Sequence, residues 1–432
     1  MSNPSQPKRT RRKLSRGKKA VFAFVAVCFG LLLTEGALHL LCLAFPQVRY
    51  AISDERPSPF VDDPVLGVRP NPEVSDHDSA GWRNEKRLEQ ADIVCIGDSQ
   101  TYGTSCRREE AWPQVLGHKV GVSSYNMGYG SYGPTHHLSL TPEALELKPR
   151  LVLYAIYSGN DLADCYRMVY YPERGQMPEL RSTNAETLAA IERAEKDQGL
   201  IGGWKELQSI VEPPGNKEPS WRSRLSTWFR LYGVVRSIRK KLDEDDEVAK
   251  VNNPQHMEKK WQARKQVALE AGDSNALFVF ESGSVRTFLT PRTRADIADL
   301  EDARIAEGMR LAQVAMDRSL QLADGKAQVA IVLIPTKELV FCDAARKAYG
   351  ELPPTLVKLE RAETAFWQQL KDFLDQRGVA WIDTLPALRD SVGRDINPYR
   401  ESWDGHPNAA GNEAMAEAIA GSAPLRALRE GG

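Results

Sequence analysis

Two short polar segments, far apart in the chain, hold the residue types that a serine-based acyl-transfer site requires. Gly97-Asp98-Ser99 follows a short apolar run, and Asp404-Gly405-His406 precedes a helical pattern near the end of the chain. A serine hydroxyl is a weak nucleophile, so it needs a base within hydrogen-bond distance and a third group that orients the base. His406 can accept the proton of Ser99, and Asp404 can hold the imidazole in the required tautomer. Residues two apart in an extended segment face the same side, which lets Asp404 and His406 pair.

The elements that must bring these segments together can be read from five apolar runs. Strands are predicted at residues 93–96, 123–126, 150–156, 328–334 and 379–383, with helical patterns at 138–147 and 356–377. Strands that alternate with helices predict a doubly wound parallel sheet and an α/β fold. The carboxyl ends of parallel strands lie at one edge of the sheet. We therefore expect the polar turns after the first three strands to converge there with His406.

Taken in order, the polar segments resemble the sequence blocks of a known enzyme family. Gly97-Asp98-Ser99, the Gly/Ser-rich turn at 128–133, Gly159-Asn160-Asp161 and Asp404-Gly-His406-Pro-Asn408 are similar to the four blocks of the SGNH (GDSL) hydrolases. The similarity covers residues 90–165 and 325–425. It implies a three-layer α/β/α fold and an esterase, lipase or acyltransferase activity without a metal or organic cofactor. Together with the N-terminal region, it is similar to envelope-located members that handle O-acetyl groups on polysaccharides.

The resemblance also implies a role for each matched residue. It assigns the nucleophile, the base and the residue that orients the base to Ser99, His406 and Asp404. The Asn160 side chain and the Ser99 backbone N–H would donate to the oxyanion. The position of the family's oxyanion glycine falls on Ser131, with Gly130 beside it, and a backbone donor does not require glycine. The last block reads Asp-x-His, as in the acetyltransferase-like members, where the usual spacing is Asp-x-x-His.

The N-terminus has the composition of a membrane anchor. Residues 1–19 hold eight Lys or Arg and no acid, and residues 20–45 are apolar apart from Thr34, Glu35 and His39. A helix of 26 residues is about 39 Å long, enough to cross a bilayer core of about 30 Å. The basic tail predicts a cytoplasmic N-terminus and an extracytoplasmic, periplasmic body held by a single span in the inner membrane. A cleaved signal peptide with Val21–Leu33 as its apolar region is the alternative.

Composition and rhythm divide the rest of the chain. Residues 46–89 are rich in Pro, Asp and Ser and are interpreted as a spacer, and the catalytic domain is predicted in two parts, 90–169 and 276–432. Residues 170–275 do not continue the alternation of strands and helices, and they predict a mainly helical insertion. Within it, an apolar stripe from Trp221 to Ile238 is surrounded by arginine and lysine, which suits either a membrane surface or docking on the neighbouring domain.

Charge and cysteine content limit the partners and the covalent links. The net charge is −1, and without the eight basic residues of the tail it is about −9, so we expect no nucleic-acid partner. Histidine and cysteine show no metal-ligand spacing. Three cysteines, Cys106, Cys165 and Cys342, follow predicted strand ends. In an oxidising compartment, Cys165 and Cys342 are the pair we expect to form a disulfide.

These observations favour a membrane-anchored serine hydrolase or acyltransferase that acts on acylated glycans of the cell envelope, with envelope-biosynthesis proteins as possible partners. Tyrosines near the strand ends and Trp403 suggest contact with sugars, because such rings offer an apolar face and a polar handle. These tyrosines are Tyr102, Tyr125, Tyr129, Tyr132, Tyr154 and Tyr157. A lysophospholipase or general carboxylesterase is a second interpretation. A catalytically weak carbohydrate-binding assembly protein is the third.

Overall fold

The computed structural model describes residues 15–53, 55–171, 177–197, 207, 210, 225, 228–239 and 254–430. They belong to two units, one of residues 1–57 and 216–253 and the other of residues 58–215 and 254–432. The strands are β1 (Phe60–Asp63), β2 (Gly67–Pro70), β3 (Ile93–Gly97), β4 (Ser124–Gly128), β5 (Leu151–Tyr157), β6 (Phe278–Ser282), β7 (Val285–Leu289), β8 (Gln328–Ile334) and β9 (Ala380–Asp383).

Fifteen helices with defined bounds occur in the described residues. They are α1 (Arg16–Ala44), α2 (Pro46–Ile52), α3 (Ser99–Tyr102), α4 (Trp112–Val120), α5 (Pro134–Glu146), α6 (Asp161–Tyr170), α7 (Ala185–Asp197), α8 (Pro254–Ala271), α9 (Pro291–Ala295), α10 (Ala303–Ala323), α11 (Lys337–Tyr349), α12 (Pro354–Asp375), α13 (Leu385–Gly393), α14 (Ala409–Ala420) and α15 (Ala423–Glu430).

The larger unit is built on a five-stranded parallel sheet with the order β4-β3-β5-β8-β9. All five residues of β3 and all seven of β5 are buried, because helices cover both faces of the sheet. Successive side chains alternate between two apolar clusters. Val94 and Val152 pack on the side of α5, α6 and α10, whereas Ile93 and Leu151 pack on the side of α4, α11 and α14. The predicted α/β fold with a central parallel sheet is confirmed.

Two antiparallel hairpins accompany the sheet, and the sequence had not predicted either of them. The first, β1–β2, lies in the residues interpreted as a spacer, and its Arg69 forms an ion pair with Glu143 of α5 at 2.7 Å. The second, β6–β7, follows α8 directly and turns at Gly283, where φ is +61°. Of the region predicted as a helical insertion, the described parts include α7 and α8.

The predicted disulfide is wrong. All six cysteines are free, and Cys165 and Cys342 are buried in different apolar clusters, on opposite faces of the sheet. The sheet itself therefore separates the two sulfur atoms. Burial also raises the pKa of Cys95 to about 12, so this thiol stays protonated and packs as a small apolar side chain.

The smaller unit contains α1, α2 and a helical stretch at residues 230–239. Helix α1 has 29 residues, and its large apolar side chains from Val21 to Leu43 are exposed. It is long and apolar enough to cross a membrane. Ser15 caps its first turn by accepting a hydrogen bond from the backbone of Lys18. Phe45 leaves the helical conformation, and Pro46 starts α2 with a change of direction.

Candidate active site

Ser99 lies where the parallel sheet reverses its order. From β3 the chain passes to β4 on one side and then to β5 on the other, which leaves a crevice at the carboxyl ends of β3 and β5. Ser99 is the first residue of the four-residue α3, directly after β3. Asp98 caps that helix, since its Oδ1 accepts the N–H of Gln100 at 2.9 Å. The short helix holds the hydroxyl of Ser99 partly exposed at the sheet edge.

His406 and Asp404 reach this edge from the loop between α13 and α14. A bridge between Tyr399 and Pro407 closes the loop. Asn408 caps α14, and its Nδ2 donates to the carbonyls of Asn397 and Tyr399 at 2.9 and 3.0 Å. Asn408, the last residue of the Asp404–Asn408 block, is thus hydrogen-bonded to the segment that precedes the block. These local hydrogen bonds help to set the conformation of the loop.

The three predicted relay residues form a continuous hydrogen-bonded chain. His406 Nε2 lies 2.8 Å from Ser99 Oγ, and His406 Nδ1 lies 2.6 Å from Asp404 Oδ1. Since ionised Asp404 can only accept, Nδ1 carries the proton and Nε2 is left to accept from Ser99. This is the arrangement in which a histidine can act as general base toward a serine.

The electrostatics of Asp404 favour its ionised form. Burial raises the pKa of this carboxyl, but hydrogen bonds from His406 and Ser105 and the charge of His406 lower it further, to well below its usual range. Ser105 Oγ donates to the second carboxylate oxygen, Oδ2. Both oxygens of Asp404 are therefore engaged, and the carboxylate remains charged at neutral pH.

The predicted oxyanion residues lie on two loops that pack on each other and on α3. Gly128 ends β4, and a Cβ there would come within 2.6 Å of the Tyr102 backbone nitrogen of α3. At Gly133 a Cβ would come within 2.7 Å of the carbonyl oxygen of Asp161, at the start of α6. The segment that carries Gly130 and Ser131 thus spans from the helix of Ser99 to the helix that follows Asn160. Ser131 adopts φ +65°, a conformation that serine populates rarely.

The Asn160 amide is oriented by a buried carboxylate. Its Nδ2 donates to Asp164 Oδ2 at 2.6 Å, and Asp164 also accepts from Arg167 at 2.8 Å. Asp164 is 3% exposed, so this charge is held in a low-dielectric setting where it orients a donor strongly. An amide nitrogen has two N–H groups, and the one that Asp164 does not use is available for an oxyanion.

Buried acids lie close to the nucleophile. Asp98 is 1% exposed, and its Oδ2 is 3.4 Å from Ser99 Oγ. Burial raises the pKa of Asp98 to about 6, and burial together with the charge of Asp98 raises the pKa of Asp161 well above its usual value. Ser99 therefore has two neighbouring acceptors, and the shorter contact favours donation to His406.

Two cations that the sequence did not predict contact the backbone next to the site residues. Lys337 is fully buried, and its Nζ donates to the carbonyls of Ser402 and Asp404, each at 3.0 Å. Arg294 donates to the Gly159 carbonyl at 3.0 Å and lies 5.7 Å from the centre of the Tyr157 ring. A lysine in the first turn of a helix opposes the helix dipole, which makes Lys337 unusual, but the sequence does not show which groups it contacts. Arg294 had no comparable signal.

Residues just before the sheet hold the loop that follows α3. The guanidinium of Arg83 donates to the carbonyls of Tyr102, Gly103 and Cys106 at 3.0, 2.6 and 3.0 Å. No catalytic role was predicted for Arg83 from the sequence. The contacts of Arg83 hold the segment that connects Ser99 to Ser105, and Ser105 donates to Asp404.

Most of the aromatic side chains that were candidates for contact with sugar are buried in the structure. Four of the six tyrosines are at most 2% exposed and belong to the apolar clusters, namely Tyr125, Tyr132, Tyr154 and Tyr157. Tyr102, Tyr129 and Trp403 remain partly exposed. Trp403 adjoins Asp404 in sequence. Four of the seven rings therefore pack inside the domain, and Tyr102, Tyr129 and Trp403 are the three that remain as candidates for contact with a sugar.

The site is built from serine, histidine, carboxylate and amide groups. Within the described ranges, no group of three or more His, Cys, Asp or Glu side chains could hold a metal ion. Comparison with protein-family models gives no match, and comparison with curated proteins gives none either.

Proposed function

We propose that this chain is a serine-dependent ester hydrolase or O-acyltransferase of the SGNH type. The observation that carries the proposal is the hydrogen-bonded chain from Ser99 Oγ through the His406 imidazole to Asp404, with distances of 2.8 and 2.6 Å. The three residues come from positions 99, 404 and 406, and only the fold brings them together. A purely structural histidine would not require both a serine on one nitrogen and a charged carboxylate on the other.

The chemistry follows from the roles of these groups. Ser99 Oγ attacks the acyl carbonyl while His406 Nε2 takes its proton, and Asp404 stabilises the imidazolium that forms. The negative charge that develops on the carbonyl oxygen is met by donors from the Ser99 backbone, the Asn160 amide and the loop at 130–131. His406 then returns the proton to the leaving alkoxide. The acyl group on Ser99 passes to water in hydrolysis or to a second hydroxyl in transfer.

The substrate class that we propose is a short acyl ester, such as acetate, on a glycan of the cell envelope. Tyr102 lies in α3 with Ser99, Tyr129 follows β4, and Trp403 adjoins Asp404 in sequence. These partly exposed rings suit contact with sugar rings. We also propose that the body is held at the inner membrane on its periplasmic side. The length and apolar character of α1 support the attachment to a membrane. The same helix favours a lysophospholipase as the second candidate, because it would hold the site close to its lipid substrate.

An acyl-length series distinguishes these candidates. The full chain is assayed on p-nitrophenyl esters from acetate to long chains, beside an O-acetylated glycan with and without an acceptor sugar. We expect the highest rate on acetate, together with release or transfer of acetate from the glycan. Rates that rise steadily with chain length, with the glycan untouched, would instead support the lysophospholipase.

Labelling by a fluorophosphonate tests the serine chemistry itself. We expect wild-type protein to be labelled on Ser99, and Ser99→Ala and His406→Ala each to lose nearly all labelling and turnover. The losses should not add in the double variant, because the two residues act in one step. Ser139→Ala, which removes a serine hydroxyl from α5, is the matched control. Sugar binding without labelling or turnover would identify a carbohydrate-binding protein in place of an enzyme.

A further inference from the structure

Glu35 lies within the apolar helix α1, and its carboxylate has partners from a distant part of the chain. Its Oε2 accepts the backbone N–H of Leu231 at 2.8 Å, and its Oε1 accepts the backbone N–H of Arg230. His39, one turn further along α1, lies 3.1 Å from Oε1. The two N–H groups belong to the first turn of the helix at residues 230–239. Glu35 thus caps a helix that is about 195 residues away in sequence.

This contact explains an acidic residue that is otherwise unfavourable. A carboxylate within the apolar part of a membrane span is unfavourable unless it has partners there. The first-turn N–H groups of a helix lack intrahelical partners and carry partial positive charge, so a carboxylate placed there satisfies donor and acceptor together. Glu35 and helix 230–239 each supply what the other lacks.

The helix 230–239 has one face toward α1 and α2 and one face that is uncovered. Ser237 Oγ donates to the carbonyl of Ala51 at 2.9 Å, and the Arg230 guanidinium lies 3.4 Å from the Glu55 carboxylate. Arg230, Gly233 and Ser237 have the spacing of one helix face, and Arg230 is 8% exposed. Tyr232, Val235 and Ile238 lie on the opposite side of the helix and are exposed. Trp228 and Phe229, just before the helix, are exposed as well.

The position along α1 at which helix 230–239 begins indicates what contacts the outer face of helix 230–239. Glu35 is nine residues before the end of α1, about 14 Å along the helix axis. Beyond Glu35, α1 still presents Leu40 and Leu43, which are 69% and 80% exposed, and before it Leu32 is 70% exposed. Helix 230–239 therefore begins beside a part of α1 that is apolar and uncovered on both sides. If lipid surrounds this part of α1, the same lipid also contacts Trp228 and Phe229.

We propose that residues 228–239 are a second membrane contact of this chain, in which the outer apolar side chains insert among lipid acyl chains beside α1 and Glu35 holds the start of the helix. The occupant of this face is the bilayer, because the face continues the apolar surface of α1. The proposal does not depend on the catalytic function. Of the two interpretations of this stripe in the sequence, it favours contact with a membrane.

Photo-crosslinking to lipid tests the contact. The full chain is reconstituted in nanodiscs that contain a phospholipid with a photoreactive group in its acyl chain, and labelled peptides are identified by mass spectrometry. We expect lipid adducts on α1 and on residues 228–239. The peptides that contain Leu269 and Val357 should stay at background, although these side chains are 61% and 38% exposed. Val235→Asp combined with Ile238→Asp should remove the adducts from 228–239 and leave those on α1.

Glu35 variants test the cap separately. Glu35→Leu should lose lipid adducts on 228–239 and speed amide hydrogen exchange in 230–239, with α1 still labelled. Glu35→Gln keeps an acceptor oxygen, so it should retain most of both and serves as the matched control. Adducts on α1 with none on 228–239 in the wild-type chain would overturn the proposal in favour of a protein surface. Adducts on neither would overturn it together with the membrane anchor, and an unchanged Glu35→Leu variant would overturn the capping role.

Discussion

Replacing Lys337 by methionine is the perturbation that best separates positioning of the relay from stability of the fold. Lys337 is the first residue of α11, and its ammonium group holds the carbonyls of Ser402 and Asp404. Methionine has a similar length and no donor. Lys337→Met therefore releases the backbone on which Asp404 stands while the side-chain volume is kept.

The magnitudes predict a small change in stability. Burial lowers the pKa of Lys337 from 10.5 to about 8, which means that keeping this side chain charged at pH 7 costs about 3 kcal/mol. Methionine removes that cost but takes a donor from both carbonyls. The Ser402 carbonyl keeps the Thr287 hydroxyl at 3.2 Å, whereas the Asp404 carbonyl loses its Lys337 donor, at about 1–3 kcal/mol. The two effects oppose each other. We expect the free energy of unfolding at pH 7 to change by no more than about 3 kcal/mol.

The effect on catalysis should be larger. A shift of the relay by about 1 Å can lower the rate about 100-fold, so we expect kcat of Lys337→Met to fall about tenfold to 100-fold with KM nearly unchanged. Kinetics on a short-chain ester and the rate of fluorophosphonate labelling measure this fall. Lys358→Met, which removes an exposed lysine paired with Asp296 and Asp299, is the matched control. A variant with wild-type kcat would refute the positioning role.

The pH dependence of stability gives an independent check. Between pH 8 and 10.5 the unfolded lysine keeps its proton while the buried one releases it, so the unfolded state binds more protons and stability rises with pH. The wild-type chain should therefore gain up to about 3 kcal/mol relative to Lys337→Met over this window. Urea unfolding of both proteins at pH 7 and pH 10 measures the difference. A constant difference would mean that the lysine is not held in a strongly desolvating site.

Three further predictions concern the groups around the relay. Ser105→Ala removes one hydrogen bond to the Asp404 carboxylate, so kcat on a short ester should fall about tenfold, and a fall in Ser139→Ala as well would contradict a specific role. Asp164→Asn removes the charge that orients the Asn160 amide and should slow turnover. Combined with Asn160→Ala it should be no slower than Asn160→Ala alone, and an additive loss would mean that Asp164 acts elsewhere. Burial raises the pKa of Asp98 from 3.8 to about 6, so the native state binds the extra proton between these values and stability falls as pH rises through them. Asp98→Asn should thus be more stable than wild type at pH 7 and lose this advantage near pH 4 in urea unfolding, whereas an equal difference at both pH values would refute the shift.

The central sheet was predictable because buried parallel strands read as unbroken apolar runs. The structure places β3, β4, β5, β8 and β9 within a few residues of the predicted strands. The hairpin β6–β7 was missed although Ser282-Gly283-Ser284 separates two apolar runs, which is an ordinary hairpin signal. The disulfide prediction failed for another reason. Position just after a strand does not say on which face of the sheet a helix will lie.

The relay residues were predictable from their types and order, but their supports were not. Ser99, Asp404 and His406 are chemically distinctive, and the resemblance named all three before the structure showed them in one hydrogen-bonded chain. Lys337 donates to backbone carbonyls 65 and 67 residues away. Because every residue has a backbone carbonyl, the sequence cannot show which ones serve as its partners. Only the fold shows which peptide groups a buried cation meets.

The loop that carries His406 is positioned largely by elements outside the motif blocks. In β7, Thr287 Oγ1 lies 3.0 and 3.2 Å from the carbonyls of Arg400 and Ser402. In α8, Arg264 donates to the Glu401 carbonyl at 2.6 Å and lies 5.2 Å from the centre of the Trp403 ring. Since α8 belongs to the region that interrupts the α/β rhythm, that region contacts the histidine loop on the residues next to Asp404. Changes in α8 should therefore alter turnover even though it carries no motif residue.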